Sequence, residues 1–448
     1  MIVMKFGGTS VGSREAIERT IGIVRSKLEE KPIVVVSAMS KVTDMLYAIS
    51  DSLEKGDRVG AQAALGKLRK KHLDAAAELM PDDHLWREEA FCRINAVCDG
   101  MQHFIAEVAE IGPAQKAVID SKGEFLSSNM ICCKMNSIGI KTSFVNARDF
   151  MVTDSDYLKG APVYDEIVRR APKVIDAAFS EADAVITQGF VGITSEGEET
   201  VLGRGGSDFS ASIIGMAVDA ARIEIWTDVD GVRSADPRKV DNTLCIPKIS
   251  FEEAAEMAAS GAKVLHPKTI EPALLKNIPV LVLNSMNPSG HGTTIVPSSY
   301  IEDGVRSVSS KENILLVCVS LPVISDASSL LTRVLAVLSE TKVDIDLLRV
   351  GPDGIVFTSA SLDRVPSAVV KLSTFADVEV EDDKAQISVI GKNISELRLA
   401  LRDASELVKE SRLVTVAQND SYVNISFVVP RARMHDAVRQ IHSYLFEK

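Results

Sequence analysis

The sequence predicts an α/β fold with a largely parallel sheet, followed by a region of repeated α+β units. Over residues 1 to about 296, short apolar strands alternate with helical segments. The strands at 32–37 (PIVVVS) and 278–284 (IPVLVLN) are apolar throughout instead of alternating between apolar and polar residues. Such strands are typical of parallel sheets covered by helices on both faces.

The other elements of this first region follow the same periodicities. Apolar residues at helical spacing predict helices, and short apolar runs bounded by glycine or polar residues predict strands. Strands are predicted from residue 2 to the lysine at position 5 and at 141–146, 183–189 and 223–227, and helices at 13–28, 41–56, 58–80, 85–111, 163–179 and 209–221.

The order of predicted strands and helices changes after residues 287–294 (NPSGHGTT). The turn-forming residues of this segment mark a boundary near residue 296. The region 297–448 repeats the order βαββαβ in two units, at about 314–380 and 385–448, and residues 303–311 are an alternative first strand for the second unit. Strands are predicted at 314–321, 343–350, 355–362, 385–390, 413–417 and 422–429, and helices at 325–341, 365–375, 395–409 and 432–446. Such a pair of units suits small-molecule sensing as much as catalysis.

Composition excludes several classes of function. A chain of 448 residues is long enough for about two to three domains. Its net charge of −12 argues against binding to nucleic acid or to an anionic membrane, and it contains no apolar run of membrane length. The six cysteines form no CxxC pair, which argues against a zinc site and for a reducing compartment. The first strand leaves no room for a signal peptide, so we expect a cytoplasmic protein.

Residues 203–208, Gly-Arg-Gly-Gly-Ser-Asp, follow a predicted strand and precede a predicted helix. A glycine-rich turn at a helix N-terminus offers backbone N–H groups and a favourable dipole to an anion. Ser207 or Asp208 is placed to cap the helix, and the planar fork of Arg204 suits a carboxylate or phosphate. Many such turns are only turns, so this motif alone leaves a structural interpretation open.

A second glycine turn stands at residues 5–10, Lys-Phe-Gly-Gly-Thr-Ser. Lys5 lies at the C-terminal end of the first strand, where open α/β sheets bind their ligands. Taken alone, Lys5 also fits a surface lysine beside a tight turn. Two anion-seeking turns in one chain favour a ligand that carries phosphate.

Eight motifs in this order resemble aspartate kinases of the monofunctional, lysine-sensitive type with two C-terminal ACT modules, and the resemblance covers essentially the whole chain. The motifs are KFGGTS at 5–10, SKGEFLSS at 121–128, NARDF at 146–150, ITQGF at 186–190, LGRGGSD at 202–208, WTDVDGV at 226–232, ADPR at 235–238 and GAKVLHP at 261–267. The resemblance implies the amino-acid-kinase fold, a mostly parallel eight-stranded sheet between helices. It implies phosphorylation of the β-carboxylate of L-aspartate by ATP to 4-phospho-L-aspartate, the first step of lysine, threonine and methionine biosynthesis.

The chemistry of that reaction explains the residue types. A side-chain carboxylate with a pKa of about 3.9 is already ionised at neutral pH and needs no general base. Catalysis must instead bring an anionic nucleophile to an anionic phosphate, which requires positioning and positive charge.

The resemblance also implies roles for individual residues. Lys5 neutralises the transferring phosphoryl group and Asp208 orients Lys5. The aspartate pocket consists of Ser37, Thr43, Glu124, Arg204 and Ser207, with Glu124 receiving the ammonium group. The implied ATP contacts are Lys5, Phe6, Gly7, Gly8, Thr227, Asp228, Arg233, Arg238, Lys263 and Val264. Mg²⁺ is required to bridge the phosphates and is expected to be held mainly by them, so no protein metal ligands are predicted.

The regulatory region resembles lysine-binding ACT modules with departures. The implied effector contacts are Ser328, Ser329 and Asp346. Ser328 and Ser329 replace a glycine at the helix start, and Gly351-Pro352 replaces a Ser-Glu pair. The resemblance implies lysine as the effector, and the departures leave open whether its site is altered or lost. ACT modules associate side by side, which implies a homo-oligomer, a homodimer or larger, through residues 297–448.

Alternative functions are distinguishable. Another amino-acid kinase would act on glutamate, acetylglutamate or a nucleotide. A catalytically silent sensor on a kinase scaffold is disfavoured by Lys5, Arg204 and Asp208. A dinucleotide-binding oxidoreductase and a Walker-type ATPase are disfavoured because neither GxGxxG after the first strand nor GxxxxGK[ST] occurs. The sequence ends after the second module, so an attached homoserine dehydrogenase is not expected.

Overall fold

The computed structural model describes residues 1–262, 267–320, 327–351, 354–392, 414–418 and 423–447. The chain divides into two compact units. The first contains Met1–Val232 and Lys268–Val296, and the second contains Arg233–Pro267 and Pro297–Lys448. The predicted domain ranges 1–296 and 297–448 stay predictions.

The first unit is built on a mostly parallel sheet, which confirms the predicted fold class. Seven strands of the sheet belong to this unit, in the order β3-β4-β2-β1-β7-β9-β10. All pairs from β3 to β9 are parallel, and β10 runs antiparallel to β9. These strands are β1 (Ile2–Phe6), β2 (Pro32–Val36), β3 (Thr142–Phe144), β4 (Ala184–Gln188), β7 (Ile223–Thr227), β9 (Val280–Asn284) and β10 (Thr293–Val296), with a separate hairpin of β5 (Val191–Ile193) and β6 (Glu199–Val201).

The central strands are apolar because helices cover both faces of the sheet. Every residue of β1, β2 and β4 is buried. Thr293 and Thr294, which sequence analysis assigned to a turn, begin strand β10 instead. Their side chains fit a strand as readily as a loop, because threonine has a high strand propensity.

Three helices of the first unit begin where short polar side chains cap them. Ser13, Asp57 and Asp83 accept backbone N–H bonds at the starts of α1, α3 and α4. Such caps stabilise helix ends by about 1 kcal/mol. The helices are α1 (Arg14–Arg25), α2 (Val42–Glu54), α3 (Arg58–Leu79), α4 (His84–Glu107), α5 (Pro113–Asp120), α6 (Lys122–Ser137), α7 (Tyr164–Phe179) and α8 (Gly206–Ala217), with α10 (Pro267–Leu275) later in the chain.

The second unit contains a six-stranded antiparallel sheet in the order β12-β13-β11-β14-β16-β15, as two ACT modules require. Its strands are β11 (Gly304–Ser320), β12 (Leu348–Gly351), β13 (Gly354–Ser359), β14 (Asp377–Lys392), β15 (Val414–Gln418) and β16 (Val423–Pro430), and β8 (Lys248–Ser250) lies earlier in this unit. The helices are α9 (Phe251–Ala259), α11 (Ala327–Glu340), α12 (Val365–Leu372) and α13 (Met434–Phe446). The predicted helix at 395–409 lies outside the described residues.

Strands β11 and β14 each serve both halves of this sheet. The first part of β11 pairs with the end of β14, and its last part pairs with the start of β14 and with β13. Asn313 and Asp383 adopt positive φ angles of 54° and 56° next to the register shift. Arg431 bonds to both side chains, at 2.6 Å to Asn313 and 3.0 Å to Asp383. One arginine thus ties the two bulges together.

Residues 233–267 join the second unit through buried polar contacts. The Val308 N–H donates to the carbonyl of Ser234 at 2.7 Å, and the Ser234 hydroxyl lies 2.8 Å from Nε2 of His442. The six cysteines are free thiols. Within the described part of the chain, no helix combines the length and the apolar character needed to cross a bilayer.

Candidate active site

A cleft of about 990 Å³ opens in the first unit, at the C-terminal ends of β1, β2 and β7 and the N-terminus of α8. Ligands are expected at this edge of an open α/β sheet. The cleft brings together most of the predicted site residues from distant parts of the chain. They are Lys5, Gly7, Gly8, Ser37, Thr43, Glu124, Arg204, Ser207, Asp208, Thr227 and Asp228.

Lys5 and Asp208 form an ion pair in this cleft. The Nζ atom of Lys5 lies 2.5 Å from Oδ1 of Asp208, and the two side chains are 11% and 19% exposed. The pair holds the ammonium group beside the first glycine turn, where a Cβ added to Gly7 would lie 3.6 Å from Nζ. A positive charge is therefore fixed where an anionic group can approach the backbone closely.

The second glycine turn begins α8 differently from the sequence prediction. Neither Ser207 nor Asp208 caps the helix, because α8 starts at Gly206 and its N-cap residue is Gly205. Gly205 adopts a left-handed conformation with φ 75°, which costs glycine little and other residues much more. A glycine thus fills the cap position through its backbone conformation. The Asp208 carboxylate is not used as a cap and binds Lys5.

Glu124 is a buried carboxyl on α6, 6% exposed. Its Oε1 accepts the backbone N–H of Ala38 at 3.1 Å. Burial raises the pKa of Glu124 to about 8, with a smaller contribution from the negative charge of Asp120, and the Ala38 bond opposes the rise. A cationic ligand group would restore the ionised form of this side chain.

Ser37 and Thr43 line the cleft on either side of the turn after β2. Arg204 is exposed at the cleft, and no carboxylate among the described residues pairs with its guanidinium. Arg204 is therefore available for an anionic ligand. At the end of β7, the Thr227 hydroxyl donates to Oδ1 of Asp228 at 3.2 Å.

The chain was compared with known proteins. Residues 1–284 match the amino acid kinase family. Aspartokinase 1 of Arabidopsis thaliana is 30% identical over 470 residues, which cover 99% of this chain and 80% of the relative. The chain belongs to the aspartokinases.

Two crystal structures of Escherichia coli aspartokinase III are similar over the whole chain. One, in complex with aspartate and ADP, has a TM-score of 0.82 at 29% identity and covers 100% of both chains. The other, in complex with lysine and aspartate, has a TM-score of 0.80 at 29% identity and covers 100% of this chain and 99% of that one. A bifunctional aspartokinase/homoserine dehydrogenase of Haemophilus influenzae is 30% identical, and this chain spans 56% of its length.

Some residues predicted for this aspartokinase do not line the cleft. The Phe6 side chain is fully buried and stacks on Trp226 with ring centroids 6.0 Å apart, which leaves its backbone for a ligand. Arg233 donates to Thr243, and Arg238 pairs with Asp236 at 2.6 Å, both within the second unit. Lys263 and Val264 lie outside the described residues.

Sequence analysis missed other titratable groups of the cleft. Lys41, Lys159, Tyr47, Lys116 and Asp120 all line it. Lys116, Asp120 and Glu124 recur every four residues, which places them on one face of a helix. The sequence shows this spacing, but no helix is predicted at the position of α5. Sequence analysis therefore does not place these three residues in one site.

The predicted effector residues lie in the second unit. Ser328 and Ser329 are exposed in the first turn of α11. Asp346 is half-buried and pairs with Lys311, whose Nζ lies 2.6 Å from its Oδ1. Gly351 ends β12, and Pro352 lies outside the described residues.

Proposed function

We propose that the chain transfers the γ-phosphoryl group of ATP to the β-carboxylate of L-aspartate, giving 4-phospho-L-aspartate and ADP. A carboxylate oxygen of aspartate attacks the γ-phosphorus, and the bond to the oxygen that bridges the β- and γ-phosphorus atoms breaks. No proton has to move. The observation that carries the proposal is the Lys5–Asp208 ion pair beside two glycine turns, in one cleft with the buried Glu124.

Lys5 supplies positive charge to the transferring phosphoryl group. Asp208 holds the lysine side chain in place before the substrates arrive, so little reorganisation is needed in the transition state. The N–H groups at the start of α8 add a favourable dipole for an anion. Preorganised charge of this kind is the main catalytic contribution expected for phosphoryl transfer.

The aspartate substrate has three charged groups, and the cleft offers a partner for each kind. Arg204, with Ser207 beside it, binds a carboxylate. Glu124 receives the ammonium group, and Thr43 and Ser37 complete the pocket with hydroxyl groups. Binding of the ammonium group ionises Glu124, because a nearby cation lowers the raised pKa of this carboxyl.

On the nucleotide side, Thr227 and Asp228 and the backbone of Phe6, Gly7 and Gly8 bind ATP. The described residues contain no cluster of three or more acidic, histidine or cysteine side chains for a metal. The Asp228 carboxylate at the end of β7 would hold a Mg²⁺ ion carried on the phosphates. Mg²⁺ would neutralise phosphate charge there. Contacts of ATP with Arg233, Arg238, Lys263 and Val264 stay predictions.

We further propose that lysine regulates the enzyme through its ACT modules, that the modules join a homo-oligomer, and that the enzyme is cytoplasmic. The E. coli relative crystallised with lysine supports the choice of effector. In this chain the Lys311 ammonium already binds Asp346. An effector ammonium directed to Asp346 would have to compete with the Lys311 ammonium. This competition would lower the affinity for the effector.

The test is ADP production from Mg-ATP with aspartate, glutamate or acetylglutamate, with hydroxylamine trapping of the acyl phosphate. We expect trapped product with aspartate alone. Millimolar lysine, threonine and methionine are then added singly, and suppression by lysine supports the regulatory proposal. Product from another acceptor would change the substrate, and absence of any product would favour a silent sensor.

A further inference from the structure

Asp120 is a second buried carboxyl in the cleft, to which neither the motifs nor the relatives assign a role. It ends α5, and Ser121 continues the helical conformation into α6, so Asp120 and Glu124 are one helical turn apart. Both line the cleft, and both are buried, at 7% and 6% exposure. Two carboxyls therefore face the same part of the cleft.

The Asp120 carboxyl is poorly compensated by the protein. Its Oδ1 atom is buried and accepts no hydrogen bond from any described residue. Lys116 lies one turn earlier, but its Nζ is bound to Glu54 at 2.6 Å. A buried polar atom without a hydrogen-bond partner is costly, and a charged one more so, so its retention indicates a partner that the protein does not supply.

The titration of the two carboxyls supports the same conclusion. Burial raises the pKa of Asp120 to about 6, and the distant charge of Lys116 only partly opposes it. The negative charge of Asp120 in turn contributes to the raised pKa of Glu124. Tyr47 of α2 faces the pair, and its pKa is raised by burial and by both carboxylates. The charges of Lys116 and Lys5 lower these two pKa values less than burial raises them.

We propose that Asp120 and Glu124 together form the ammonium subsite of the cleft, and that Asp120 makes a free α-ammonium group a condition for tight binding. An ammonium group carries three N–H donors and one positive charge, so it can serve two carboxylates at once. A dicarboxylate without the ammonium group would instead meet two like charges. This proposal rests on the proposed aspartate kinase activity and concerns which carboxylic acids the cleft accepts.

The experiment compares Asp120→Asn with the unchanged protein. Asparagine keeps the size of the side chain and removes its charge. We expect the aspartate KM to rise about tenfold or more, as loss of a charged hydrogen bond predicts, with kcat changed less than about twofold. The inhibition constant of succinate, which has the two carboxylates without the ammonium group, should stay equal or fall. The exposed carboxylate of Asp176 on α7 provides the control, and Asp176→Asn should change neither constant.

The pair of constants separates this role from a structural one. A damaged pocket would raise both the aspartate KM and the inhibition constant of succinate, and that result would overturn the proposal. An unchanged aspartate KM would overturn it as well. Failure of the unchanged protein to phosphorylate aspartate would instead overturn the proposed function, so the two failures are distinguishable. A urea unfolding curve for Asp120→Asn confirms that the variant is folded.

Discussion

At the scale of single residues, the cleft holds both positive and negative side chains. In the proposed function, Lys5 and Arg204 offer cations to phosphate and carboxylate groups, while Asp120 and Glu124 offer carboxyls to an ammonium group. Of these four, Lys5 is held by a partner of opposite charge within the cleft, at 2.5 Å from Asp208. The arrangement suits a zwitterionic substrate that must meet a phosphate from a defined direction.

Lys5→Met should abolish most of the turnover. The loss of a preorganised positive charge at the transferring group is expected to lower kcat on the order of 10³-fold or more. Measurement of ADP release gives kcat, and thermal unfolding checks the fold. Because Asp208 loses its partner in this variant, the double variant with Asp208→Asn should regain stability without regaining turnover. The exposed pair of Lys70 and Asp74 provides the control, and Lys70→Met should leave kcat unchanged. A near-normal rate for Lys5→Met would remove Lys5 from catalysis.

Sequence reasoning brought most residues of the cleft together because they occupy short motifs with few alternatives. It did not predict Asp120 as a site residue. A lone aspartate is usually a surface residue, and only burial and an unpaired oxygen atom distinguish this one. It also assigned a cap role to Ser207 or Asp208 that Gly205 fills. Burial and backbone conformation depend on the whole fold, so composition and spacing could not predict them.

At the scale of elements, the left-handed residue before α8 directs the helix N-terminus into the cleft. Gly205→Ala should lower stability by about 1–2 kcal/mol, the cost of a left-handed alanine, and should lower the rate because the turn moves. Gly66 provides the matched control. It lies exposed within α3, where an added Cβ would meet nothing within 4 Å. Gly66→Ala should raise stability by about 0.5–1 kcal/mol without changing the rate. The urea midpoint should therefore shift down in Gly205→Ala and up in Gly66→Ala. Equal shifts in the two variants would contradict the role of Gly205.

Sequence analysis predicted elements where the apolar periodicity is unbroken. It missed elements where a residue type occurs in two kinds of local structure. The predicted helix at 85–111 stops short of Pro113, and no helix is predicted from this proline, which stands in the first turn of α5. The acidic residues within 379–383 prevented a strand prediction for the first half of β14, because charged residues are depleted in strands. Strand β11 continues through the left-handed Asn313, so two predicted strands are one. Long-range pairing decides such cases.

At the scale of the whole molecule, buried titratable groups make stability depend on pH in two opposite directions. His72 of α3 is fully buried, and its Nδ1 lies 2.9 Å from the Leu68 carbonyl oxygen. Burial lowers the pKa of His72 to about 4. The unfolded chain therefore binds a proton below about pH 6.5 that the folded chain does not, and stability falls as pH falls through that window. Glu124 has a raised pKa, so its contribution to stability falls as pH rises from about 4.5 to about 8.

His72→Gln isolates the first of these contributions, because glutamine does not titrate. With folded and unfolded pKa values of about 4 and 6.5, His72 should cost the unchanged protein about 2 kcal/mol between pH 7 and pH 5. The variant should lose that much less stability than the unchanged protein over the same interval, whatever its stability at pH 7. Urea unfolding at the two pH values measures the difference. The exposed His103 of α4 provides the control, since His103→Gln should leave the pH dependence intact. Equal pH dependence in all three proteins would show that His72 takes up its proton in the folded state as readily as in the unfolded chain.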